Sequence, residues 1–491
     1  MSAQVTLWAT ALALAALGTW ILWSAAPGVN WGLWTIVAAA GGVASARFIG
    51  GQPGVRVGLC AVACALAAGT AVTADPFFHV LIFLGVTWLF ALAAYLANDP
   101  RGERIGLALG ILAPFVVMPL GLVEAGRRAG ELTMILGTDR HRPVLRGSIL
   151  ASVVVSVFAV ILAGADPILA ALRDDLVEVL ERLEFIPRLV FFGVLLVGAV
   201  GSYGMAQRPG AAPVSSRPAT PTSRTETERV IVLGAVALLF AAFLGLQLSY
   251  LFGNAPARVG SGITFAEAAR RGFAELSVVA SLCTLLILWL ERGPRRGVRE
   301  RGLAFLLTVL LWILLVSAFR RLWLYEEAYG FTTARLYAQI YMVVVALGLV
   351  LLVIELARGL DAGRFLRMII MVGLVTLIVL SFWNHEGWIA RQNIERAARG
   401  GSLDVYYVVW NLSVNAVPAI VASLDRTPLS EVLAEALIAR YTRRMKLSPC
   451  RWFEWNLRQM EAANALSATR LVAGDAPNSG AVPGCVRLVR Q

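Results

Sequence analysis

One polar segment in the second half of the chain holds the residue types that could do chemistry. Residues 320–337 read RRLWLYEEAYGFTTARLY, with arginine, tyrosine and glutamate close together. If the segment is helical, Arg321, Tyr325 and Tyr329 lie on one ridge, because residues four apart are neighbours on a helix surface. Gly330 can then end the helix, since glycine readily adopts the left-handed conformation found at helix C-termini. The pattern predicts a tight helical hairpin with a charged and aromatic turn.

Two functions are open for this hairpin. In the first, Glu326 or Glu327 acts as acid or base, while arginines clamp an anion through their two parallel N–H donors. The arginines proposed for the clamp are Arg321, Arg335 and Arg391. In the second, the hairpin is an interfacial anchor, because tyrosine and arginine favour the membrane interface whatever the function.

Further polar residues fall in loops that we expect at the same membrane face. Together they could bind an anionic headgroup, a diphosphate or a carboxylated glycan. Equally, they could pair with carboxylates and hold a helical domain against the membrane. The candidate ligand-binding residues are Arg321, Tyr325, Tyr329, Arg335, Tyr337, Arg270, Arg271, Arg391, Asn393, Arg396 and Asp166.

Recognised catalytic and cofactor motifs are missing from the sequence. It contains no HExxH, CxxC, GxSxG or GxGxxG pattern, and 3 histidines make a histidine-rich metal site implausible. Lys446 is the only lysine and follows Met445, which excludes a P-loop and a Schiff-base lysine within a span. We therefore expect no metal and no cofactor.

Composition indicates the class of protein. Hydrophobic residues make up 58% of the 491 positions and charged residues only 15%, whereas soluble domains carry about a quarter charged residues. Since a span needs about 20 apolar residues, we predict an all-α, polytopic helical membrane protein with about twelve spans, eleven to thirteen being plausible. The partner expected from this composition is the lipid bilayer. The predicted spans are 6–25, 31–46, 57–74, 77–97, 105–123, 148–164, 189–205, 230–252, 273–290, 303–319, 336–356 and 366–383.

Arginine in the loops predicts the orientation, because cytoplasmic loops are enriched in it. From the fifth span onward, alternate loops are rich in arginine, which makes them cytoplasmic and places the C-terminal region outside the cytoplasm. The first four spans fit less well, since Arg47, Arg56, Arg101 and Arg104 would then lie outside. The arginines behind the net charge of +12 are spread over short loops, so nucleic-acid binding is not expected.

The same reading divides the chain into four regions. Residues 1–205 form an N-terminal membrane half of about seven spans, and residues 230–384 form a C-terminal half of about five. Between them, residues 206–229 are rich in Pro, Ser, Thr and Arg, which is typical of a flexible, here cytoplasmic, linker. Residues 385–491 are predicted to be a small extracytoplasmic helical domain, with one helix starting at Pro449.

Two of the five cysteines fall in this predicted extracytoplasmic domain. Because an oxidising compartment favours disulfides, Cys450 and Cys485 are expected to pair. Cys60, Cys64 and Cys283 fall in predicted spans, where thiols are usually small core residues.

Several motifs occur in the order found in a known family. The run RLWLYEEAYGFT at 321–332, followed by Arg335-Leu336-Tyr337, resembles the signature of the bacterial membrane family called domain of unknown function 4173, which is close to the 4153 family. Asn415 departs from the pattern, which often has Asp there. The resemblance implies a polytopic protein of the bacterial cytoplasmic membrane with no established activity. Further matches are YLFG at 250–253, ARRGF at 269–273, ADP at 165–167 and IARQNIER at 389–396, leading to Asp404.

Three functions remain open. The leading hypothesis is a bacterial cell-envelope membrane protein that binds, scaffolds or senses, with possible envelope protein partners. The alternative is a membrane enzyme or carrier for an anionic lipid or lipid-linked glycan at the extracytoplasmic face. The third, a transporter, is disfavoured because the span interiors contain hardly any charge. Polar side chains lining an open cavity would favour the enzyme, and mutual pairing of these side chains would disfavour it.

Overall fold

Contacts divide the computed structural model of the chain into two compact units. Unit 1 comprises Met1–Pro213, Leu447–Glu461 and Asp475–Leu488, and unit 2 comprises Val214–Lys446, Ala462–Gly474 and Val489–Gln491. The structure describes residues 3–46, 53–97, 120–131, 185–207, 226–252, 282–288, 298–424, 430–442, 445–469 and 486–490.

Unit 1 is built from long apolar helices. Helices α1 and α5 meet through small and apolar side chains such as Leu7, Ala11 and Ala199. The hydroxyl of Tyr203 on α5 donates to the carbonyl of Ala38 on α2 at 2.8 Å, so this polar group is satisfied inside the apolar core. The helices are α1 (Ala3–Leu22), α2 (Val29–Ala46), α3 (Pro53–Ala68), α4 (Pro76–Ala97) and α5 (Phe185–Ala206), with a 3-10 turn at Gly69–Ala71 after α3.

Unit 2 combines long apolar helices with short ones. Its core is a cluster of fully buried aliphatic side chains that includes Leu307 and Leu352. Asp361 caps α9 by accepting from the N–H groups of Gly363 and Arg364 at 2.8 and 3.0 Å. The helices are α6 (Glu226–Phe252), α7 (Val298–Tyr329), α8 (Thr333–Arg358), α9 (Ala362–Phe382), α10 (His385–Ala398), α11 (Val417–Val421) and α12 (Ser430–Leu437), with π-helical turns at Tyr407–Asn411 and Ile438–Thr442 and a 3-10 turn at Val414–Ala416.

The C-terminal region departs from the predicted helix that starts at Pro449. Strand β1 (Met445–Pro449) pairs with β2 (Val486–Arg490) in a two-stranded sheet, and α13 (Leu457–Ala468) begins later than predicted. Asn456 sets this start, because its side chain accepts from the N–H of Gln459 at 3.1 Å as a helix cap does. The predicted start at Pro449 is therefore wrong.

Seven helices among the described residues are long and apolar enough to cross a membrane. They coincide with the predicted first, third, fourth, seventh, tenth, eleventh and twelfth spans. Two shorter apolar helices, Val29–Ala44 and Arg229–Ala242, coincide with the second and the eighth. A multi-pass helical protein is thus confirmed, while the count of about twelve and the separate C-terminal domain stay predictions. The seven are Gln4–Leu22, Gly54–Ala71, Pro76–Ala94, Phe185–Ala206, Val298–Glu327, Thr333–Arg358 and Ala362–Phe382.

The structure tests some of the predictions on the cysteines and leaves other predicted features outside the described residues. Cys450 is disulfide-bonded, whereas Cys60, Cys64 and Cys283 are free. The pairing of Cys450 with Cys485 stays a prediction. The features outside the described residues are Asp166, Arg270, Arg271, Cys485, the span predicted at 148–164 and most of the linker at 206–229.

Within unit 1, residues Arg451–Asn456, here called the C-terminal segment, bond to the loop between α1 and α2. The carboxylate of Glu454 accepts from the N–H of Ala26 at 3.2 Å. The carbonyl of Trp455 accepts from the N–H of Val29 at 3.1 Å. The N–H of the loop residue Ala26 and the first N–H of α2 thereby gain partners.

Asn456 joins the C-terminal segment to a second loop, the one between α3 and α4. Its side-chain amide donates to the carbonyls of Thr70 and Thr73 at 2.8 and 2.7 Å. Asn456 is buried, so these bonds form away from bulk water, where an unpaired amide is costly. Both loops and the C-terminal segment therefore lie at the same end of the helices of unit 1.

This arrangement conflicts with one part of the predicted orientation. Twelve spans place the two loops in the cytoplasm and the C-terminal region outside it, which the bonds of Asn456 do not allow. An odd number of spans, eleven or thirteen, would remove the conflict, and the orientation stays a prediction.

Labelling of single cysteines tests this sidedness. Ser24, Trp452 and Gly54 are exposed, and each is replaced by cysteine in a background in which Cys60, Cys64 and Cys283 are alanine. We expect a membrane-impermeant maleimide to label positions 24 and 452 from the same side and position 54 from the opposite side, in intact cells and inverted vesicles. Labelling of positions 24 and 452 from opposite sides would show that the C-terminal segment does not contact the loop.

Candidate functional site

Gly330 makes the turn between α7 and α8. Its φ is +80°, a left-handed conformation that glycine adopts without strain. Thr332 caps α8 by accepting from the N–H of Arg335 at 3.4 Å. The guanidinium of Arg335 lies 4.1 Å from the centre of the Tyr325 ring and donates to the carbonyl of Gly330. The predicted hairpin is confirmed, and Arg335 holds its turn.

Asn393 on α10 bonds to both backbone groups of Phe331, the residue after the turn glycine. Its Oδ1 accepts from the N–H of Phe331 and its Nδ2 donates to the carbonyl of Phe331, both at 2.8 Å. A Cβ at position 330 would lie 2.5 Å from Oδ1 of Asn393, closer than real contacts allow. We call this pairing the Asn393 clamp; it requires glycine at position 330.

Aromatic side chains surround the Asn393 clamp. The ring of Phe331 meets Trp388 of α10 edge-on, with centroids 5.0 Å apart. The hydroxyl of Tyr407 accepts from the N–H of Thr333 at 2.7 Å. Burial raises the pKa of Tyr407 above its usual value, because removal from water disfavours the phenolate. The hydroxyl is thus neutral at physiological pH and caps the first turn of α8.

Tyr337 and His385 form a second contact between α8 and the start of α10. The tyrosine hydroxyl lies 2.8 Å from Nε2 of His385, and Nδ1 of His385 faces the carbonyl of Trp383 at 3.3 Å. Since a carbonyl only accepts, Nδ1 donates to it, and Nε2 shares a hydrogen bond with the tyrosine hydroxyl. His385 is therefore a buried histidine whose two nitrogens both contact the chain.

Glu386 connects α10 to the loop before α11. Its Oε1 accepts from the N–H of Ser413 at 2.9 Å, and its Oε2 accepts from the Ser413 hydroxyl and from Nδ2 of Asn415, the latter at 2.9 Å. Asn384 caps α10 through Gly387 and donates to the carbonyl of Asn415 at 2.9 Å. Three donors stabilise this buried carboxylate. Without such donors, a buried charge would be costly.

Arg440 and Tyr441 join the π-helical turn at Ile438–Thr442 to the segment of Val409 and Leu412. Arg440 donates to the carbonyls of Val409 and Leu412, the second at 2.9 Å. Tyr441 is fully buried, and this burial raises its pKa to about 12. The described residues 385–424 and 430–442 therefore form one hydrogen-bonded assembly, which we call the cap.

The two candidate acids have different environments. Glu326 is only 2% exposed; its Oε2 accepts from the amide of Gln339 on α8, and its Oε1 has no hydrogen-bond partner among the described residues. Glu327 is exposed. Arg321 donates to the carbonyl and hydroxyl of Ser317 at 3.4 and 3.3 Å. Glu326 is thus the candidate acid whose environment is unusual.

The structure brings some of the predicted residues together and separates others. Arg396 lies beside the turn, because a Cβ on Gly330 would be 2.9 Å from its Nη2, and it donates to the carbonyl of Ser402 at 2.5 Å. Arg391, Glu327 and Tyr329 are exposed. The predicted residues assembled around the turn and cap are Tyr325, Arg335, Tyr337, Asn393 and Arg396.

Several residues of this network were not predicted from the sequence. Their one local signal is the polar run Asn384-His385-Glu386 directly after the last span, which as a motif is only an incomplete HExxH. Their partners are distant in the chain, so spacing does not reveal them. Asn415 was noted only as a departure from the family pattern. The residues that were not predicted are His385, Glu386, Tyr407, Ser413, Arg440 and Tyr441.

Most of the polar groups around the turn and the cap form hydrogen bonds within the chain. Arg335 and Arg396 each donate to a backbone carbonyl, which leaves fewer of their N–H groups for a phosphate or carboxylate ligand. Among the described residues, no group of three or more His, Cys, Asp or Glu side chains could hold a metal ion. The buried carboxylate of Glu326 is the feature best suited to proton exchange.

A comparison with protein families places this region in a known sequence family. The family described as Domain of unknown function (DUF4153) matches residues 60–423, which include the hairpin, α10 and the loop of Asn415. The resemblance to family 4173 is not confirmed. No curated protein and no solved structure matches the chain.

Removal of the Asn393 clamp is expected to loosen the cap. Asn393→Ala leaves the N–H and carbonyl of Phe331 without their partners, and a buried unpaired group costs about 1–3 kcal/mol. We expect a lower thermal unfolding temperature in detergent and faster proteolysis within 399–405. Glu395→Ala is the control, because it breaks only an exposed ion pair with Arg399, which is worth about 0–1 kcal/mol. Equal effects of the two variants would contradict the role of the Asn393 clamp.

Substitution of Asn415 by aspartate is expected to make stability depend on pH. Asn415→Asp replaces a donor to Glu386 by a second carboxylate, and like charges in contact raise the pKa of one of them. A folded-state pKa above the unfolded value gives stability at low pH that is lost as pH rises through it. Unfolding temperatures from pH 4 to 8 should therefore fall in Asn415→Asp but not in Asn415→Ala; parallel profiles would refute the contact.

Proposed function

This chain belongs to the DUF4153 family, and from that premise we propose that it is a bacterial cell-envelope membrane protein that binds, scaffolds or senses. In this proposal the helices anchor the protein in the cytoplasmic membrane, and the cap on the α7–α8 hairpin is the functional part. The cap and the C-terminal segment face the extracytoplasmic side. The linker at 206–229 is cytoplasmic and separates two membrane halves, 1–205 and 230–384.

The observation that carries this proposal is the engagement of the arginines within the chain. Arg335 donates to Gly330 and lies over Tyr325, while Arg440 donates to two carbonyls of the cap. A guanidinium that clamps a substrate must present its parallel N–H groups to that substrate. Here these groups stabilise the turn and the cap, which favours a rigid scaffold.

Exposed aromatic residues offer surfaces for anchoring and for binding. Trp323 and Tyr329 on the outer part of α7 are exposed, as expected for an aromatic belt at the membrane interface. On the cap, Tyr406 is 68% exposed and stacks on Trp410, with centroids 6.4 Å apart. Such an aromatic face suits contact with an envelope protein or a sugar ring.

A second function, an enzyme or carrier for an anionic lipid or lipid-linked glycan, is favoured by one observation. Glu326 is buried and its Oε1 lacks a hydrogen-bond partner in the described part of the chain. Buried carboxyl groups of this kind serve enzymes as general acids or bases. Glu327, being exposed, lacks this property. A transporter is the third and weakest candidate.

Complementation of a deletion strain separates the two leading functions. The strain receives wild type, Glu326→Gln, Arg321→Ala or Asn393→Ala at matched membrane levels, followed by lipid and envelope-glycan analysis. A scaffold requires a rigid cap more than the Glu326 carboxylate, so Glu326→Gln and Arg321→Ala should restore the wild-type profile and Asn393→Ala should not.

The opposite pattern supports the enzyme. Loss of one lipid or glycan product in Glu326→Gln, with normal membrane levels and a normal unfolding temperature, would overturn the scaffold proposal. Glu327→Gln is the matched control, because it removes a neighbouring but exposed carboxylate. A defect in both glutamine variants would indicate a general charge effect at this interface.

A further inference from the structure

Arg56 in unit 1 is a buried cation without hydrogen-bond partners. Its side chain is 8% exposed, and its Nε and Nη1 atoms are buried without a partner in the part of the chain that the structure describes. A charged group removed from water costs several kcal/mol unless it is paired and hydrogen-bonded. A partner outside the described residues is therefore required.

The position of Arg56 on α3 makes its burial notable. Val55 and Val57 on either side are exposed, whereas Arg56 shares the buried face with Cys60 one turn later. That face packs in a cluster with Ala39 of α2 and Ala93 of α4. Arg56 thus lies on the protein side of α3, next to the C-terminal ends of two antiparallel neighbours.

The same end of α3 carries backbone donors that have no partner within the helix. The helix starts at Pro53, so the N–H groups of Gly54, Val55 and Arg56 have no partner within it. Side chains on a helix lean toward its N-terminus, which brings the Arg56 guanidinium near these N–H groups. An added Cβ at Gly54 would meet nothing within 4 Å, so the backbone there is open to a close approach.

We propose that Arg56 and the first turn of α3 bind a phosphate group. The helix N-terminus and the guanidinium both attract anions, and the planar fork of arginine matches two phosphate oxygens. The C-terminal ends of α2 and α4 carry partial negative charge, which lowers the cost of burying Arg56 but leaves its N–H groups unbonded. The phosphate belongs to an anionic phospholipid or is free in solution, and both sources offer the same oxygens.

Thermal unfolding of the purified full-length protein in detergent tests the site. Phosphatidylglycerol, and in a separate arm inorganic phosphate with sulfate as comparison, is titrated into wild type, Arg56→Gln and Arg56→Lys. Ligand that binds only the folded state raises the unfolding temperature. We expect the shift seen in wild type to disappear in Arg56→Gln and to be partly kept in Arg56→Lys. The affinity of Arg56→Lys for the ligand should be about tenfold weaker, because one charged hydrogen-bonded contact is lost.

The control is Arg299→Gln, which removes an exposed arginine from the first turn of α7 and should leave the shift unchanged. A shift with phosphatidylglycerol alone assigns a lipid headgroup, and a shift with inorganic phosphate assigns a free anion. The proposal fails if neither ligand shifts wild type, or if Arg56→Gln responds to both ligands as wild type does. A higher unfolding temperature of Arg56→Gln in that case would mean that Arg56 is an uncompensated charge. Native mass spectrometry that counts bound phosphatidylglycerol gives a second readout if Arg56→Gln folds poorly.

Discussion

The Asn393 clamp is the contact on which the extramembrane part of unit 2 depends. A primary amide presents one acceptor and one donor, which match the N–H and carbonyl of Phe331 at 2.8 Å each. A turn between two long helices has no ladder of its own to satisfy such groups. By supplying both partners from α10, Asn393 joins the membrane hairpin to the cap, and the bonds of Tyr407 and Tyr337 then have a defined geometry.

The cap is polar inside, and this polarity is consistent with a single well-defined structure. Glu386 and Asn415 are buried and hydrogen-bonded to each other, and Asn384 donates to the carbonyl of Asn415. Buried networks of this kind contribute little net stability, but a half-satisfied network is costly, so alternative arrangements are disfavoured. A rigid, specific cap on a membrane anchor is the architecture that a scaffold or a binding protein needs.

Much of the architecture was predictable from residue order. Apolar runs marked the helices because backbone groups in lipid must be satisfied within the helix, and the Tyr325-to-Arg335 pattern marked the hairpin and its glycine turn. The start of α13 was not predictable from Pro449, because Asn456 caps the helix while donating to loops nearly four hundred residues earlier in the chain. The sequence left open whether the arginines of the hairpin bind a ligand or anchor the hairpin, and the structure shows that Arg335 donates to Gly330.

The sequence by itself determined that the chain is a multi-pass helical membrane protein, since 58% hydrophobic residues in long runs are incompatible with solubility. It also determined where the polar hairpin lies. Only the tertiary structure decided which polar groups meet: Asn393 and Phe331 are 62 positions apart, and Thr333 and Tyr407 are 74 apart. The type of a side chain determines which bonds it can form. Burial and the neighbours supplied by folding decide which of these bonds form: Arg335 bonds a carbonyl, whereas Nε and Nη1 of Arg56 have no partner within the described residues.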